Sequence, residues 1–388
     1  MASEASPIAS RAPVFAPSAQ GELRCAITAK PWRKLEAQVA EWDRLAADAA
    51  EPNPFFESWY LLPSLAAFDP AGVEILQFRS GGQLLGLMPI SRSWRYYHRA
   101  LPNMSAWSHH NMFLGAPLVA AGHEEAFWNA LLDWCDGHAG ASLFLHIPQM
   151  PLCGASYRAL RAVAARQNRQ VSLVRTEDRA MLASQLSSDA YYEASLPNKK
   201  RKELRRQFNR LSELGEVDFA RWRDSEGLDA WIDAFLALER SGWKGQAGSA
   251  LGCAPETDAL FRKSLAGAAR RGRLERLSLT LDARPVAMLA TFLCPPGAFS
   301  FKTAFNEDYA RFSPGVLLQR ENLEILADET IEWSDSCASA DHPMIDHLWR
   351  ERRTIGSLSI AIGGTVRRTA FAGVAYLENA RGRAGGNE

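Results

Sequence analysis

At 388 residues the chain is long enough for two ordinary domains, each with a core of its own. An apolar share of 47% and a charged share of 23% fit a soluble globular protein and exclude collagen-like and wholly disordered chains. Lys plus Arg and Asp plus Glu each number 44, so no global field draws the molecule to nucleic acid, and no nucleic-acid partner is expected.

Met1 to Gln20 is rich in Ala, Ser and Pro and lacks an apolar run behind a basic start, so it reads as a disordered tail rather than a secretory signal. Trp32 to Ala50 then reads as an amphipathic helix and Phe55 to Phe68 as an aromatic-rich one. Val73–Phe78 and Leu84–Ile90 form a strand pair around Ser80-Gly81-Gly82. Glu124–His138 is helical, Ser142–Ile147 is a buried strand, Tyr157–Asn168 is a helix, and Gln170–Arg175 is a short strand. Ser, Asp and Ala accumulate between Glu177 and Asp189, where a domain boundary is expected.

The second half opens with helices over 197–214, 227–241 and 256–271. Arg276–Leu281, Val286–Leu293 and Ala298–Phe305 follow as an antiparallel meander, with Pro295-Pro296-Gly297 as a hairpin turn. A helix from Ser313 to about Ala327 and a strand over Thr330–Ser334 complete a mixed α/β (α+β) order of elements. The organisation expected is a tail over 1–20, domains over 21–180 and 181–376, and a second tail over 377–388. No stretch approaches the roughly 20 apolar residues of a bilayer span. Six Cys lack any C-x-x-C pair, which argues against a zinc centre or disulfide framework and fits a reducing cytoplasm. No metal is expected.

Three constellations stand out. In Phe301 to Arg320 a strand leads through a polar turn to Ser313-Pro314-Gly315, which opens an apolar helix. Ser suits the N-cap, Pro the first turn, and Gly a close approach of ligand to backbone. The free N–H groups there, reaching to Val316, suit a phosphate, and Arg311 adds a charge to it. The plain alternative is ordinary capping between a strand and a helix. Pro197 to Leu211 packs seven basic residues into one helix whose Leu204, Phe208 and Leu211 form an apolar stripe. That helix suits coenzyme phosphates or an anionic lipid face, or is simply a solvated surface. His342 and Asp346 have H-x-x-x-D spacing, and Asp335 lies just before them at a strand end. His342 is a candidate general base, with Asp335 as its orienting partner or substitute. Trp107, His110 and Asn111, in a polar-aromatic loop, are candidates to contact the acceptor, or belong to a structural loop.

The second half resembles the GNAT superfamily of acyltransferases, and in it the cellulose-biosynthesis (CelD-like) acetyltransferase branch. The resemblance rests on Lys199–Arg206 with Leu211–Gly215, Leu281–Ala287, Phe305–Tyr309 with Ser313–Gly315, and Trp333–Asp335, about 180 residues in family order. Phe55–Trp59, Gly86–Ile90 and Gly115–Leu118 are similar to the companion domain of such proteins. The resemblance implies two tandem GNAT-like acyl-CoA N-acyltransferase domains, with Arg311, Ser313, Gly315 and Val316 at the donor pyrophosphate. It departs from the common Q/R-x-x-G-x-G/A pattern, having Arg311-Phe-Ser-Pro-Gly-Val316. The expected activity is direct transfer from acyl-CoA to an amine or hydroxyl, in polysaccharide or lipid biosynthesis. Bacterial ceramide synthases, which acylate a sphingoid amine, and Fem-type aminoacyltransferases, which take aminoacyl-tRNA, are similar and supply alternatives. A non-catalytic envelope or polysaccharide assembly module is a further one. Location is expected to be cytoplasmic, with peripheral membrane contact through helix 197–211.

Overall fold

The structure, a computed structural model, describes residues 26–69, 72–340 and 342–384. The expected N-terminal tail over 1–20 lies outside them. The first half contains β1 (Ala26–Pro31), α1 (Val39–Ala47), α2 (Ser58–Phe68), the hairpin β2 (Glu74–Ser80) and β3 (Gln83–Ser93), β4 (Asn103–Ala106) and β5 (Leu118–Val119). It ends with α3 (Glu124–His138), β6 (Phe144–Pro151), α4 (Ala155–Arg166) and β7 (Val171–Leu182). The second half has α5 (Ser188–Ser195), α6 (Asn198–Ser212), β8 (Val217–Trp222), α7 (Leu228–Ser241), α8 (Trp243–Gln246) and α9 (Pro255–Ala269). The meander β9 (Leu274–Leu281), β10 (Arg284–Cys294) and β11 (Gly297–Phe305) follows. Then come α10 (Pro314–Asn322), β12 (Trp333–Asp335), β13 (Glu351–Ala361) and α11 (Thr365–Ala384).

All strands join one mixed sheet in the order β1-β2-β3-β4-β6-β13-β7-β12-β11-β10-β9-β8, with β5 against β3. The last strand, β13, is the decisive element. It crosses back into the first half and lies antiparallel between β6 and β7, while β7 pairs on its other edge with β12. The segment Glu177–Asp189, expected as a boundary, therefore runs as strand as far as Leu182. Neighbouring strands satisfy its backbone groups, so its polar side chains do not make it a loop.

Side chains alternate across the sheet. On β10, Met288, Ala290 and Phe292 face the large core that includes α7 and α9, while Ala287 and Leu289 face α10 on the other side. That large core runs through both halves: α2 lies against α9, and Gly267 leaves room for Trp59 at their crossing. Arg271 pairs with Asp43 at 2.7 Å, and Arg273 pairs with Glu57, across the same seam.

Other expectations shift. The helix expected from Trp32 begins as two 3-10 turns and becomes α-helical at Val39. The strand expected over Thr330–Ser334 is Trp333–Asp335, because Glu332 N–H donates to Pro296 O and places the pairing later. Residues 377–384, expected in a tail, continue α11. The buried Phe371 and Ala375 dock that helix on Tyr96, Phe144 and Ala361. Among the described residues no helix is long and apolar enough to cross a membrane.

Where β7, β12 and β13 meet, Asp335 is fully buried between two arginines. Its carboxylate lies 3.5 Å from Arg179 Nη1 and 3.2 Å from Arg353 Nη1, and accepts the Cys337 N–H at 2.8 Å. Arg179 also donates to Phe113 O at 2.9 Å and Glu177 at 3.0 Å. Asp335→Ala would leave two buried guanidinium groups without this anion, a loss of about 3–5 kcal/mol. Denaturant unfolding of that variant reads the loss directly, and a change below about 1 kcal/mol would show that the anion does not hold the junction. Residues 1–180 expressed alone lack β12 and β13, so β6 keeps an open edge and β7 has no strand partner. That fragment should aggregate, whereas the whole chain should unfold in one transition by circular dichroism.

Candidate functional site

The parallel pair β11–β12 lasts only three residues, Gly297–Phe299 against Trp333–Asp335. Beyond it the chains splay: β11 continues to Phe305, while Ser336-Cys337-Ala338 turns away, with Cys337 in the left-handed region at φ 51°. A cavity of about 280 Å³ opens in this wedge. Its walls are Ser300–Phe305, Ser336–Ser339, the Glu239–Lys244 end of α7 and start of α8, and the loop residues His342, Met344 and Ile345. From Ser300 onward the β12-facing edge of β11 has no strand partner among the described residues. The pairing of β11 with β10 also skips Phe301, with Ala290 opposite Lys302 and Thr291 opposite Ser300. This bulge re-aims backbone and side chain at the mouth of the wedge.

The first half has the same short parallel pair, β4 with β6, matched only at Met104–Leu145 and Ser105–His146. Its wedge is filled by the chain itself. Gly115 N–H donates to Gln149 O at 3.2 Å, and an added Cβ on Gly115 would strike Pro148 O.

Of the residues expected to act, His342 lines the cavity. It is half-buried, its Nδ1 has no partner, and burial with the nearby Lys244 cation pulls its pKa below the ordinary histidine value. Asp335 does not orient it: the carboxylate is committed to Arg179, Arg353 and Cys337, with no hydrogen bond to His342. Two rigid arginines flanking one carboxylate explain why a strand-end Asp serves the sheet instead.

The start of α10 lies beside the cavity through Met344, which packs where a Gly315 side chain would stand. Ser313 occupies the N-cap position but sits in the left-handed region at φ 54°, and its hydroxyl caps nothing. A 3-10 turn over Glu307–Phe312 delivers the chain in that conformation. Ser313 O accepts the N–H groups of Val316 and Leu317, each at 3.0 Å. Pro314 has no N–H, so Gly315 holds the first-turn N–H left for an anion. Arg311 is exposed, with its guanidinium 4.7 Å from the Phe312 ring.

Asn111 reaches Lys302 in the cavity wall, and its loop neighbours do not. Asn111 is buried, its backbone O accepts the Tyr60 hydroxyl at 2.5 Å, and its Oδ1 accepts from Lys302 Nζ at 2.8 Å. His110 is exposed near Phe68, and Trp107 packs toward His109; neither lines the cavity. His109, which sequence reasoning passed over, stays neutral, its pKa pulled down to about 3 by burial and by His110 and Lys302.

Lys302 is the larger omission. It is partly buried in the cavity wall, with Nζ 5.3 Å from the Phe113 ring and 5.5 Å from the Phe301 ring. Burial, then the Lys244 cation, lowers its pKa to about 8. Its signal was a single cation inside the apolar strand Ala298–Phe305. Lys244 is neutralised by Glu239 at 2.8 Å. The expected basic helix, α6, docks through Leu204 and Leu211 and leaves Lys199, Lys200, Lys202, Arg205, Arg206 and Arg210 exposed. Among the described residues no three His, Cys, Asp or Glu side chains gather to hold a metal ion.

Comparison with known proteins places this geometry. Residues 198–342 match the family described as Acetyltransferase (GNAT) domain. No curated protein sequence matches the chain. Among solved structures, FemX is similar at a TM-score of 0.54 and 10% identity, over 83% of this chain and 95% of that one. A conserved protein of unknown function from Bacteroides thetaiotaomicron is similar at 0.51 and 12%, over 83% and 97%. The C-terminal domain of a putative lysylphosphatidylglycerol synthetase from Agrobacterium fabrum gives 0.51 and 11%, over 87% and 95%. At such identities the likeness is one of fold. The match over residues 198–342 makes the second half of this mixed α/β chain similar to that acetyltransferase domain, over the stretch that holds the splayed β11–β12 pair and α10.

Proposed function

We propose that the chain transfers an acyl group directly from an acyl-CoA thioester to an amine or hydroxyl acceptor in the β11–β12 wedge. The observation that supports this most is the wedge itself: an open cavity bounded by an unpaired strand edge and a half-buried histidine. In this reading the thioester carbonyl lies along β11, where backbone N–H groups beyond Phe299 stabilise the charge that grows on its oxygen. His342 takes the proton from the acceptor as the new C–N or C–O bond forms. The C–S bond then breaks and the departing thiolate takes up the proton held by His342. No covalent enzyme intermediate is required. Cys337 is buried, and its thiol is pushed well above its usual pKa by burial and by Asp335, which disfavours it as a nucleophile. The Gly315 N–H and Arg311 would meet the donor phosphates, once Met344 moves aside.

His342 must be neutral to accept a proton. Because burial lowers its pKa, activity should rise with pH through a value below the ordinary 6.5 or so and then level off. His342→Ala should remove this limb and cut kcat by about 100-fold or more, with donor affinity nearly unchanged. Steady-state kinetics across pH 5–8 measures both, and an unchanged kcat removes His342 from the mechanism.

A second reading has its own support in the sparse α10 site. One free N–H and a covering Met344 make a weaker grip than a full glycine-rich turn, while α6 displays a row of exposed cations suited to an aminoacyl-tRNA donor or a lipid face. Calorimetry separates the donors. Acetyl-CoA binding supports the primary reading, and much tighter palmitoyl-CoA binding favours N-acylation of a lipid amine. Absence of both turns the assignment to an aminoacyl donor or a non-catalytic assembly module.

A further inference from the structure

We infer that the wedge contains a receptor for a substrate carboxylate, formed by the Lys302 ammonium. The inference rests on the acyl-transfer reading for its place in a reaction, but the binding it names does not require that reading. Lys302 has no carboxylate within 4.0 Å among the described residues; its hydrogen-bond partner is the neutral Asn111 Oδ1 at 2.8 Å. Burial lowers its pKa to about 8, which still leaves the ammonium the main form at pH 7, and the amide oxygen and the faces of Phe113 and Phe301 offset part of the cost of burying it. An ammonium has three N–H donors, and one is used.

The neighbouring groups have the same character. Ser300 also lines the cavity, 4% exposed with no partner for its hydroxyl, though it pairs with Thr291 and so faces the other side of the sheet from Lys302. His342 Nδ1 across the cavity and Asn111 Nδ2 beside Lys302 are also unpartnered. Buried polar atoms without partners are rare, and several in or beside one cavity that holds an unpaired cation suit a site that awaits acceptor oxygens. A carboxylate supplies two oxygens and one charge, matching one lysine. A phosphate dianion would bring more charge than the single unpaired cation balances. The developing oxyanion of the reaction is a weaker fit, because the free edge of β11 already offers it donors, and it exists only in the transition state.

The probes are succinate and its neutral analogue succinamide, titrated into the full-length protein by calorimetry at pH 7. Succinate should bind at least 10-fold more tightly than succinamide. Lys302→Met should abolish that preference, and Lys302→Arg should keep most of it. Binding should also weaken as pH rises past about 8, where the ammonium is lost. Equal binding of acid and amide, or an unchanged preference in a Lys302→Met protein that keeps its thermal midpoint, overturns the inference. Competition assigns the carboxylate. If the acceptor carries it, succinate leaves acetyl-CoA binding unchanged, and Lys302→Met raises the acceptor KM with little loss of kcat. If the acyl group carries it, succinate competes with acetyl-CoA and succinyl-CoA binds more tightly. These titrations need no donor, so their failure is separate from a failure of acyl-CoA to bind.

Discussion

The Asp335 carboxylate is held by Arg179 on β7 and Arg353 on β13, at the place where the two halves of the chain share a sheet. Isolated charges are costly to bury, so each of these groups is tolerable only where the others stand. Their meeting fixes the register of three strands that arrive from distant parts of the sequence. Arg353 also lies over the Trp333 ring at 4.4 Å, and Arg179 reaches the Phe113 carbonyl. The loop bearing Asn111 and the strand bearing the wedge are thereby referred to one anchor. The return of β13 into the first half makes this anchor common to both halves.

From that junction the site follows by divergence. β12 is held at Asp335 and then turns away through a left-handed Cys337, whereas β11 continues with a bulge at Phe301. Two parallel strands that separate leave backbone donors facing empty space, which a folded protein ordinarily avoids. In the first half the same geometry is closed by Gly115 and its neighbours against β6. One wedge is thus structural and the other is open to a ligand. The difference lies in local filling of the gap and not in the sheet.

The open wedge holds two titratable groups that burial and Lys244 both push toward the neutral form, and their different ordinary pKa values keep them apart. Burial and a neighbouring cation both oppose charge on His342, which suits a proton acceptor. Lys302 feels burial too, yet the amide of Asn111 and two aromatic faces support its ammonium. One site can therefore present a neutral base and a cation at the same pH. The pair Lys244–Glu239 sets the boundary between them, neutral as a unit and fixed by the Leu251 N–H on Glu239 at 2.7 Å.

Much of the local structure was legible in the chain. The periodicity of Leu204, Phe208 and Leu211 set the docked stripe of α6, and the nearly continuous apolar run through Val286–Leu293 suits a strand with two buried faces. The Ser313-Pro314-Gly315 turn marked the start of α10, because proline and glycine restrict or free the backbone by themselves. Whether Ser313 would cap that helix was not legible, since a preceding 3-10 turn decides its φ. Asp335 and His342 lie close in sequence, yet one was taken by arginines 156 and 18 residues away while the other reached the cavity. Lys302 and Asn111, 191 residues apart, meet only because β13 closes the sheet and brings the first-half loop over β11. Short-range sequence determines what each segment can form, because turns, caps and periodicity act within a few residues. Which charges are neutralised, and which are left facing a cavity, depends on partners supplied by strand order, and that only the tertiary structure decided.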